Sequence, residues 1–459
     1  MNREPRISTG LNPVTAVVGG VRRAGWVRRG ALLAMCLAVA AQSQAATISW
    51  DGSESVTWSA GGNWVGGTAP TNDLTTDIAH FDLPTYGGAV FSPYASGQRV
   101  YGVTIGSSNG AMTLDTNSSG NRLGIGAGGI TMAAGAGTLT FGSSTNTSGA
   151  LIGASQTWTN NSSNSLLFRS VSTNVTGTQV LTFSGSGSGG ISQGGVATNR
   201  IISNGTIGQT LAIVVDYAGS GGVTFTNANT YTGTTTVKSG TLTLGASGLI
   251  SDTLVLGDSV GPTSGTLNLT AKPSFSQTNV SGVGLLNIGV GKAITIGGVL
   301  APGNGGLGTL SVTGGVTWNA ANAWIFQLGT AAASLAAAET GSTGDLLSLT
   351  GAFGQGTGST FSFDFANTGS DGWYKLVDYG STTFVAGTNP SFAATNLPAG
   401  KTASFVVDSA SSALYVQIVP EPATITLATI AVATAVGAWR SRSGSRRRLN
   451  VACHRHPAR

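Results

Sequence analysis

Charged residues are scarce in this 459-residue chain, at 8% of its composition. Globular proteins ordinarily carry about 25%. A disordered chain combines high charge with few apolar residues, whereas 40% of these residues are hydrophobic, so the chain can bury a core. Cysteine is missing from residues 46–418, because the two cysteines are Cys36 and Cys453. This absence excludes disulfides, thiolate metal sites and cysteine catalysis from the central region.

Charge of either sign is also unevenly placed along the chain. Six arginines lie in residues 1–29 and seven in residues 440–459, which accounts for the formal net charge of +5. The span 46–418 carries nine basic and fifteen acidic residues, a net charge of −6. A basic balance confined to the two ends is typical of targeting segments, and it argues against a nucleic-acid partner.

The N-terminal segment has the three parts of a secretory signal peptide. Two arginine pairs, at 22–23 and 28–29, precede an apolar run from Gly30 to Ala41. This run is too short for the roughly 20 residues of a membrane-spanning helix, which is the alternative. Small residues end the segment, so we expect signal peptidase to cut between Ala45 and Ala46. The arginine pairs also suggest export by the twin-arginine route, but general secretion is favoured.

Glycine is abundant, at 71 residues, and it opens a recurring phrase of five residues. The copies are residues 137–141, 240–244, 265–269 and 308–312. Polar and apolar residues alternate after each glycine, which is typical of a strand with one buried face. We therefore expect Thr241 and Thr243 to be exposed. The apolar positions predicted to be buried are Leu242, Leu244, Leu267, Leu269, Leu310 and Val312.

Short strands of this kind can bury their apolar faces by stacking as successive coils. The fold class predicted here is all-β, with a parallel β-helix (solenoid) over residues 101–345 that contains almost no helix. At roughly 20–25 residues per coil, this span would form about ten to twelve coils. A string of β-sandwiches is the competing architecture, because the spacing between copies of the phrase is uneven.

One stretch carries a family resemblance. The sequence TNANTYTGTTTVKSGTLTLG, residues 226–245, resembles the autotransporter-associated β-strand repeat. The matching positions are Asn229, Tyr231, Gly233, Thr235, Val237, Gly240, Leu242 and Leu244. Residues 298–318 and 344–351 resemble phrases found near the end of such arrays. The resemblance implies a parallel β-helix in an exported surface or secreted protein.

The segments on both sides of the repeats are predicted to form β caps. Residues 46–100 contain Trp50, Trp58 and Trp64, which predict an aromatic-cored cap over the open end of the solenoid. A sugar-stacking platform is the functional alternative for these tryptophans. Residues 346–418 alternate cleanly and are rich in Phe and Tyr, so they predict an antiparallel β module at the other end.

Candidate catalytic residues are sparse. Asp77, His80 and Asp82 form the densest polar group, and their spacing could hold a metal or an acid–base pair. Alternation places His80 and Asp82 on the opposite strand face from Asp77, so a solvated strand face is favoured over a site. No paired carboxylates of the Asp-Asp or Asp-x-Asp kind occur. We therefore expect no enzyme activity, no cofactor and no metal site.

The C-terminus has three parts in a fixed order. Val419, Pro420, Glu421 and Pro422 come first, and seventeen uncharged residues, 423–439, follow. As a helix that segment would be about 26 Å long, slightly short of a bilayer core. An arginine cluster then predicts stop-transfer with the body outside the membrane. Its members are Arg440, Arg442, Arg446, Arg447 and Arg448.

This arrangement resembles the PEP-CTERM sorting signal, residues 419–448, with residues 449–459 as a cytoplasmic tail. The resemblance implies that the chain is exported, inserts transiently in the inner membrane and is cut by an exosortase-type membrane protease. The expected destination is then the cell surface or the medium. A plain tail anchor is the alternative.

Two functional hypotheses follow. The first is a non-catalytic solenoid protein of the cell surface or extracellular matrix, structural or adhesive. The second is a β-helix that binds or cleaves an extracellular polysaccharide, which is the candidate macromolecular partner in either case.

Overall fold

The computed structural model describes residues 45–421, apart from 86–94, 96, 117–121, 143–148, 195–199, 259–264, 304, 321–322, 368 and 390. Nearly all of its regular structure is β-strand, as the alternation of polar and apolar residues predicts. A single 3₁₀ turn, Gly61–Asn63, lies near the start. One short α-helix, α1, spans Leu335–Gly341.

The first part of the chain forms sixteen strands. They are β1 (Ala46–Ser49), β2 (Asp77–Phe81), β3 (Arg99–Ile105), β4 (Met112–Leu114), β5 (Leu123–Met132), β6 (Leu139–Phe141), β7 (Gly149–Ile152), β8 (Gln156–Asn160), β9 (Leu166–Phe168), β10 (Ser170–Thr173), β11 (Gly177–Gly185), β12 (Ile191–Gln193), β13 (Gln209–Tyr217), β14 (Val223–Phe225), β15 (Thr235–Ser239) and β16 (Thr241–Leu244). Most are short, because each supplies only one side of a coil.

The second part adds nineteen strands and α1. They are β17 (Thr253–Leu256), β18 (Thr266–Asn268), β19 (Ser276–Gln277), β20 (Asn279–Gly282), β21 (Leu285–Asn287), β22 (Ala293–Ile296), β23 (Leu300–Pro302), β24 (Thr309–Thr313), β25 (Gly315–Trp318), β26 (Trp324–Gln327), β27 (Leu346–Leu349), β28 (Ala352–Gln355), β29 (Phe361–Asn367), β30 (Gly372–Asp378), β31 (Ser381–Thr382), β32 (Gly387–Thr388), β33 (Phe392–Thr395), β34 (Lys401–Asp408) and β35 (Ala413–Pro420). Helix α1 lies between β26 and β27.

Two long sheets run along the solenoid, and consecutive coils contribute consecutive strands to each. The first sheet follows the order β1-β2-β3-β5-β8-β11-β13-β15-β17-β20-β23. The second begins at β4 and continues β6-β9-β12-β14-β16-β18-β21-β24-β27-β30. A third sheet of β19, β22, β25, β28 and β31 makes the later coils three-sided. The ladders from β1 to β28 are parallel, which supports stacked coils over a string of sandwiches.

The interior consists of apolar side chains stacked in columns, one per coil. One column in the second sheet runs through successive Cα partners from the first coils to the last. Its members are Met112, Leu139, Leu166, Ile191, Val223, Leu242, Leu267, Leu286 and Val312, and all are buried. Burial of each such side chain contributes roughly 1.5–3 kcal/mol, so the column unites the coils into one core.

The burial pattern of the repeated phrase is largely as predicted. Leu242, Leu244, Leu267, Leu269, Leu310 and Val312 are all buried. Thr241 and Thr243, predicted to be exposed, are only half-buried. The reason is the stacking itself, because Thr243 lies between Thr224 of the coil before and Asn268 of the coil after.

The tryptophan-rich start is an aromatic core at the first coils. Trp50 and Trp58 each place their ring centroid 5.0 Å from that of Trp64, at steep interplanar angles. The indole Nε1 of Trp64 donates a hydrogen bond of 2.6 Å to the Trp58 carbonyl oxygen. All three rings are at most 2% exposed. The sugar-stacking alternative is wrong for these residues because no ring face is open, and the cap over the end of the solenoid stays a prediction.

The C-terminal region differs from the predicted antiparallel module. Strands β27, β28 and β29 pair in parallel with β24, β25 and β26, so the coils continue well past residue 345. Antiparallel pairing is found at the end, where β35 lies between β30 and β34. Alternation in the sequence shows which face of a strand is buried, but it does not reveal the direction of the neighbouring strand.

Candidate functional site

The predicted signal-peptidase site lies at the edge of the fold. Strand β1 begins at Ala46, and the Ala46 amide donates to the Thr76 carbonyl oxygen at 3.2 Å. Ala45 directly precedes this strand. A cut between Ala45 and Ala46 would therefore leave the first strand complete.

The predicted sorting motif begins inside the last strand. Val419 and Pro420 are opposite Thr402 and Lys401 of β34, and the Glu421 amide donates to the Gly400 carbonyl oxygen at 2.8 Å. Pro420 is tolerated at the strand end, since a missing N–H matters least there. The motif is extended as expected, but it is paired up to this point. Pro422 and the five predicted stop-transfer arginines lie outside the described residues.

A membrane-spanning segment was predicted for residues 423–439, which also lie outside the described part of the chain. Within residues 45–421, as far as the structure describes them, no helix has the length and apolar character needed to cross a bilayer.

The group of Asp77, His80 and Asp82 is divided between two faces, as predicted. Asp77 is buried and accepts a hydrogen bond from the Thr71 amide at 2.7 Å. His80 Nδ1 lies 2.9 Å from the Thr104 hydroxyl on the next coil, on the outer face. Asp82 accepts from the Ser108 amide at 2.8 Å. Each side chain thus binds a neighbouring coil or turn, and the described residues contain no cluster of three or more His, Cys, Asp or Glu that could hold a metal.

The residues that carry the repeat resemblance build the coil itself. Asn229 Oδ1 accepts from Gln193 Nε2 at 2.9 Å and from the Ile202 amide at 2.8 Å, while its Nδ2 donates to the Leu249 carbonyl oxygen at 3.1 Å. The Tyr231 hydroxyl lies 2.7 Å from that of Thr235. The bonds of Asn229 join separate segments of the chain and that of Tyr231 is local, so the stretch has a structural role in this fold.

A groove with a partly polar lining lies beneath α1, and we call it the α1 groove. It has a volume of about 340 Å³. Its lining residues are Leu307, Gly308, Thr309, Ala338, Glu339, Thr340, Ser342, Thr343, Gly344, Leu346 and Lys375. The groove forms because the chain leaves the coil after β26, makes α1 and returns at β27. The Ser334 hydroxyl starts the helix by accepting from the Ala337 amide at 3.2 Å.

A charged pair defines one wall of the α1 groove. Lys375 Nζ lies 3.0 Å from Glu339 Oε1 and 3.9 Å from Asp378 Oδ2. The other oxygen of Glu339 accepts a hydrogen bond from the Tyr415 hydroxyl. The Tyr415 hydroxyl also lies 3.0 Å from Ser411 Oγ. The Glu339 carboxylate is therefore held from two sides.

The same contacts fix the protonation states in the groove. The hydrogen bond from Tyr415 and then the bond and charge of Lys375 lower the pKa of Glu339. Burial raises the pKa of Tyr415, and the neighbouring Glu339 carboxylate raises it further. Glu339 is therefore an anion and acceptor at neutral pH, and Tyr415 remains a neutral donor.

This groove was not predicted from the sequence. Glu339 and Lys375 are 36 positions apart, and nothing in the local sequence of either residue points to the other. A signal for α1 was present in Ser334 followed by Leu335 and an Ala-rich run, because serine favours the N-cap and alanine and leucine are strong helix formers.

Known proteins offer no guide to this site. Comparisons with protein-family models, with curated proteins and with solved structures found no match to this chain. What the chain does must therefore be inferred from its own residues and from the fold they produce.

Proposed function

We propose that this chain is an exported, non-catalytic β-solenoid that acts in the extracellular matrix or at the cell surface as a structural or adhesive protein. The observation that carries the proposal is the order of its parts. A signal-peptide-like leader precedes a charge-poor body, and Val419-Pro-Glu-Pro422, an apolar segment and an arginine cluster follow it.

The boundaries of the strands support this proposal. Strand β1 starts at Ala46, directly after the proposed first cut, and β35 ends at Pro420, within the proposed second processing motif. Cuts at these two points would leave both β1 and β35 whole. Such a body could be released without losing a strand.

The proposed route uses two proteases in sequence. Signal peptidase removes residues 1–45, and the arginines from Arg440 to Arg448 hold the apolar segment in the inner membrane. An exosortase-type protease then cuts near Pro420–Pro422, and the body passes to the surface or the medium. The described titratable side chains support a non-catalytic role, because Asp77, His80 and Asp82 are engaged in structural hydrogen bonds.

Cell fractionation with an epitope tag after Arg459 tests the route. In the native host, the body is expected at the surface or in the medium without the tag. In cells that lack the exosortase-type protease, tag and body should stay together in the inner membrane. A tag that stays on the body in normal cells would show a plain tail anchor instead, and the sorting proposal would be wrong.

The α1 groove favours a second candidate function, binding of an extracellular polysaccharide. A groove of about 340 Å³ lies within the range of small-ligand sites, and hydroxyl groups and a charged pair line it. Cleavage is not supported there. Glu339 is hydrogen-bonded to Tyr415 and Lys375, and its lowered pKa makes it unsuited to act as a general acid.

A further inference from the structure

The α1 groove offers hydrogen-bonding capacity that the protein itself does not use. A carboxylate has about four lone-pair sites, and Glu339 uses two, toward Lys375 and Tyr415. An ammonium group has three donors, and Lys375 makes one short contact, with Glu339. Thr309 and Thr340 also line the groove, and both residues are exposed. Donors and acceptors are thus both available within one cavity.

The apolar part of the lining lies beside these polar groups. Leu307, Leu346 and Ala338 contribute it, and Leu307 is 50% exposed. A ligand that fits both parts must present hydroxyl groups and C–H surface close together. Sugar rings have this composition, because their carbons carry hydroxyl groups and also C–H bonds that together form an apolar ring face.

The charge in the groove disfavours anionic ligands. Lys375 is already paired with Glu339, and Asp378 lies 3.9 Å away on its other side. The three groups together carry a net charge of −1, so an anionic ligand would meet a paired lysine and an excess of carboxylate.

The side chains around the groove are held in place before any ligand binds. Tyr415 positions Glu339 and is itself within hydrogen-bonding distance of Ser411. The Lys375 side chain is 13% exposed, and its backbone amide donates to the Ser342 hydroxyl at 3.3 Å. Fixed polar groups lose little freedom on binding, which favours affinity for a small ligand.

We propose that the α1 groove binds a neutral sugar residue within a glycan chain. Free hydroxyls of the sugar donate to the Glu339 carboxylate and accept from Lys375, Thr309 and Thr340. Its ring face packs on Leu307 and Leu346. This inference deepens the second candidate function, on which it rests, and it does not depend on how the chain is exported or processed.

The test is binding of neutral oligosaccharides to the chain of residues 1–459 purified in detergent. The probes are maltohexaose and cellohexaose, with hexagalacturonate as the anionic comparison. Their binding is measured by saturation-transfer NMR and calorimetry. We expect one of the neutral probes to bind at millimolar concentration or better and hexagalacturonate to bind more weakly. The double variant Thr309→Val, Thr340→Val should weaken binding about tenfold or more, because two hydrogen bonds are lost.

The matched control replaces threonines on an outer face away from the groove. Thr224→Val combined with Thr236→Val also removes two threonine hydroxyls and should leave affinity unchanged. The melting temperature of both double variants checks that they fold. The proposal is overturned if neither neutral probe binds, if both double variants bind alike, or if hexagalacturonate binds more tightly than the neutral probes. None of these outcomes bears on the tag-fractionation result.

Discussion

Single glycines decide whether the coils can close. Gly240 opens one copy of the repeated phrase, with φ at +71°, in the left-handed region that other residues avoid. A Cβ at this position would lie 2.0 Å from the Tyr217 carbonyl oxygen of the preceding coil. Glycine is therefore required at Gly240 both for the turn and for the close approach of two coils.

Comparing a substitution at Gly240 with one at Gly291 separates these two requirements. Gly291 has φ at +77° and no heavy atom within 4 Å of an added Cβ. Gly291→Ala should cost about 1 kcal/mol for the backbone alone. Gly240→Ala should cost about 1–3 kcal/mol more, because the Tyr217 carbonyl must also move. Urea denaturation of both variants measures the difference, and equal losses would contradict the close-approach argument.

Asp345 gives the fold a pH dependence. It is 1% exposed, and it accepts hydrogen bonds from the amides of Gly308 and Gln327 at 2.9 and 2.8 Å. Burial raises the pKa of its carboxyl from 3.8 to about 6, against the effect of the two hydrogen bonds. The folded chain thus holds this proton more tightly than the unfolded chain. The resulting stabilisation is complete below pH 3.8 and is lost as the pH rises to about 6.

Asp345→Asn should remove that dependence. The free energy of unfolding of the unmodified chain should contain a component that falls between about pH 4 and pH 6, and the variant should lack it. Asp252→Asn, at an exposed carboxyl, is the control and should retain it. Unfolding curves across this pH range measure the slope. If the free energy of unfolding has the same slope against pH in Asp345→Asn and in the unmodified chain, another group causes the pH dependence.

At the scale of elements, neighbouring coils are joined by buried amides as well as by apolar columns. Asn229 is 6% exposed and bonds to residues of three other segments, Gln193, Ile202 and Leu249. Gln193 also donates to the Arg200 carbonyl oxygen at 2.7 Å. The network therefore ties β12 to the segment around Arg200 and to the following coil.

Asn229→Ala is expected to loosen this part of the solenoid. The variant leaves the Ile202 amide and the Leu249 carbonyl without their buried partner, at roughly 1–3 kcal/mol for each. Amide hydrogen exchange should become faster at Ile202 and its neighbours. Asn268→Ala is the matched control, because Asn268 bonds to Thr270 at the surface. Unchanged exchange at Ile202 would show that Asn229 is not what holds this segment.

Much at this scale was predictable from the sequence, and the rest depended on contacts between distant residues. Alternation with a period of two identified Leu242 and Leu267 as buried, because that period is a property of the strand alone. Register was not predictable. Val312 of the fourth phrase, rather than Leu310, stacks in the column with Leu267 and Leu286. The α1 groove was missed for the same reason, since Glu339 meets Lys375 only once two coils are stacked.

At the scale of the whole described unit, the two ends are closed differently. Three tryptophans fill the first coils, and an antiparallel pair, β34 and β35, closes the last. Caps of this kind cover apolar surface and sheet edges that would otherwise pair with other chains. The second cap has a further consequence, because its last strand contains the beginning of the predicted sorting motif.

The position of the C-terminal cut follows from that overlap. Pro420 is opposite Lys401, and Glu421 donates to Gly400, so a cut before Val419 would remove the paired end of β35. Within the described residues, the backbone at this end of the chain is paired as far as Glu421. We therefore expect the mature protein to begin at Ala46 and to retain Pro420. Intact-mass measurement of protein from the native host gives both ends directly.

Glu421→Ala should block processing if the motif is recognised, whereas a plain anchor would tolerate it. A mature chain that ends before Val419 would mean that cutting precedes folding of β35, and a retained Arg459 would mean that the chain stays anchored.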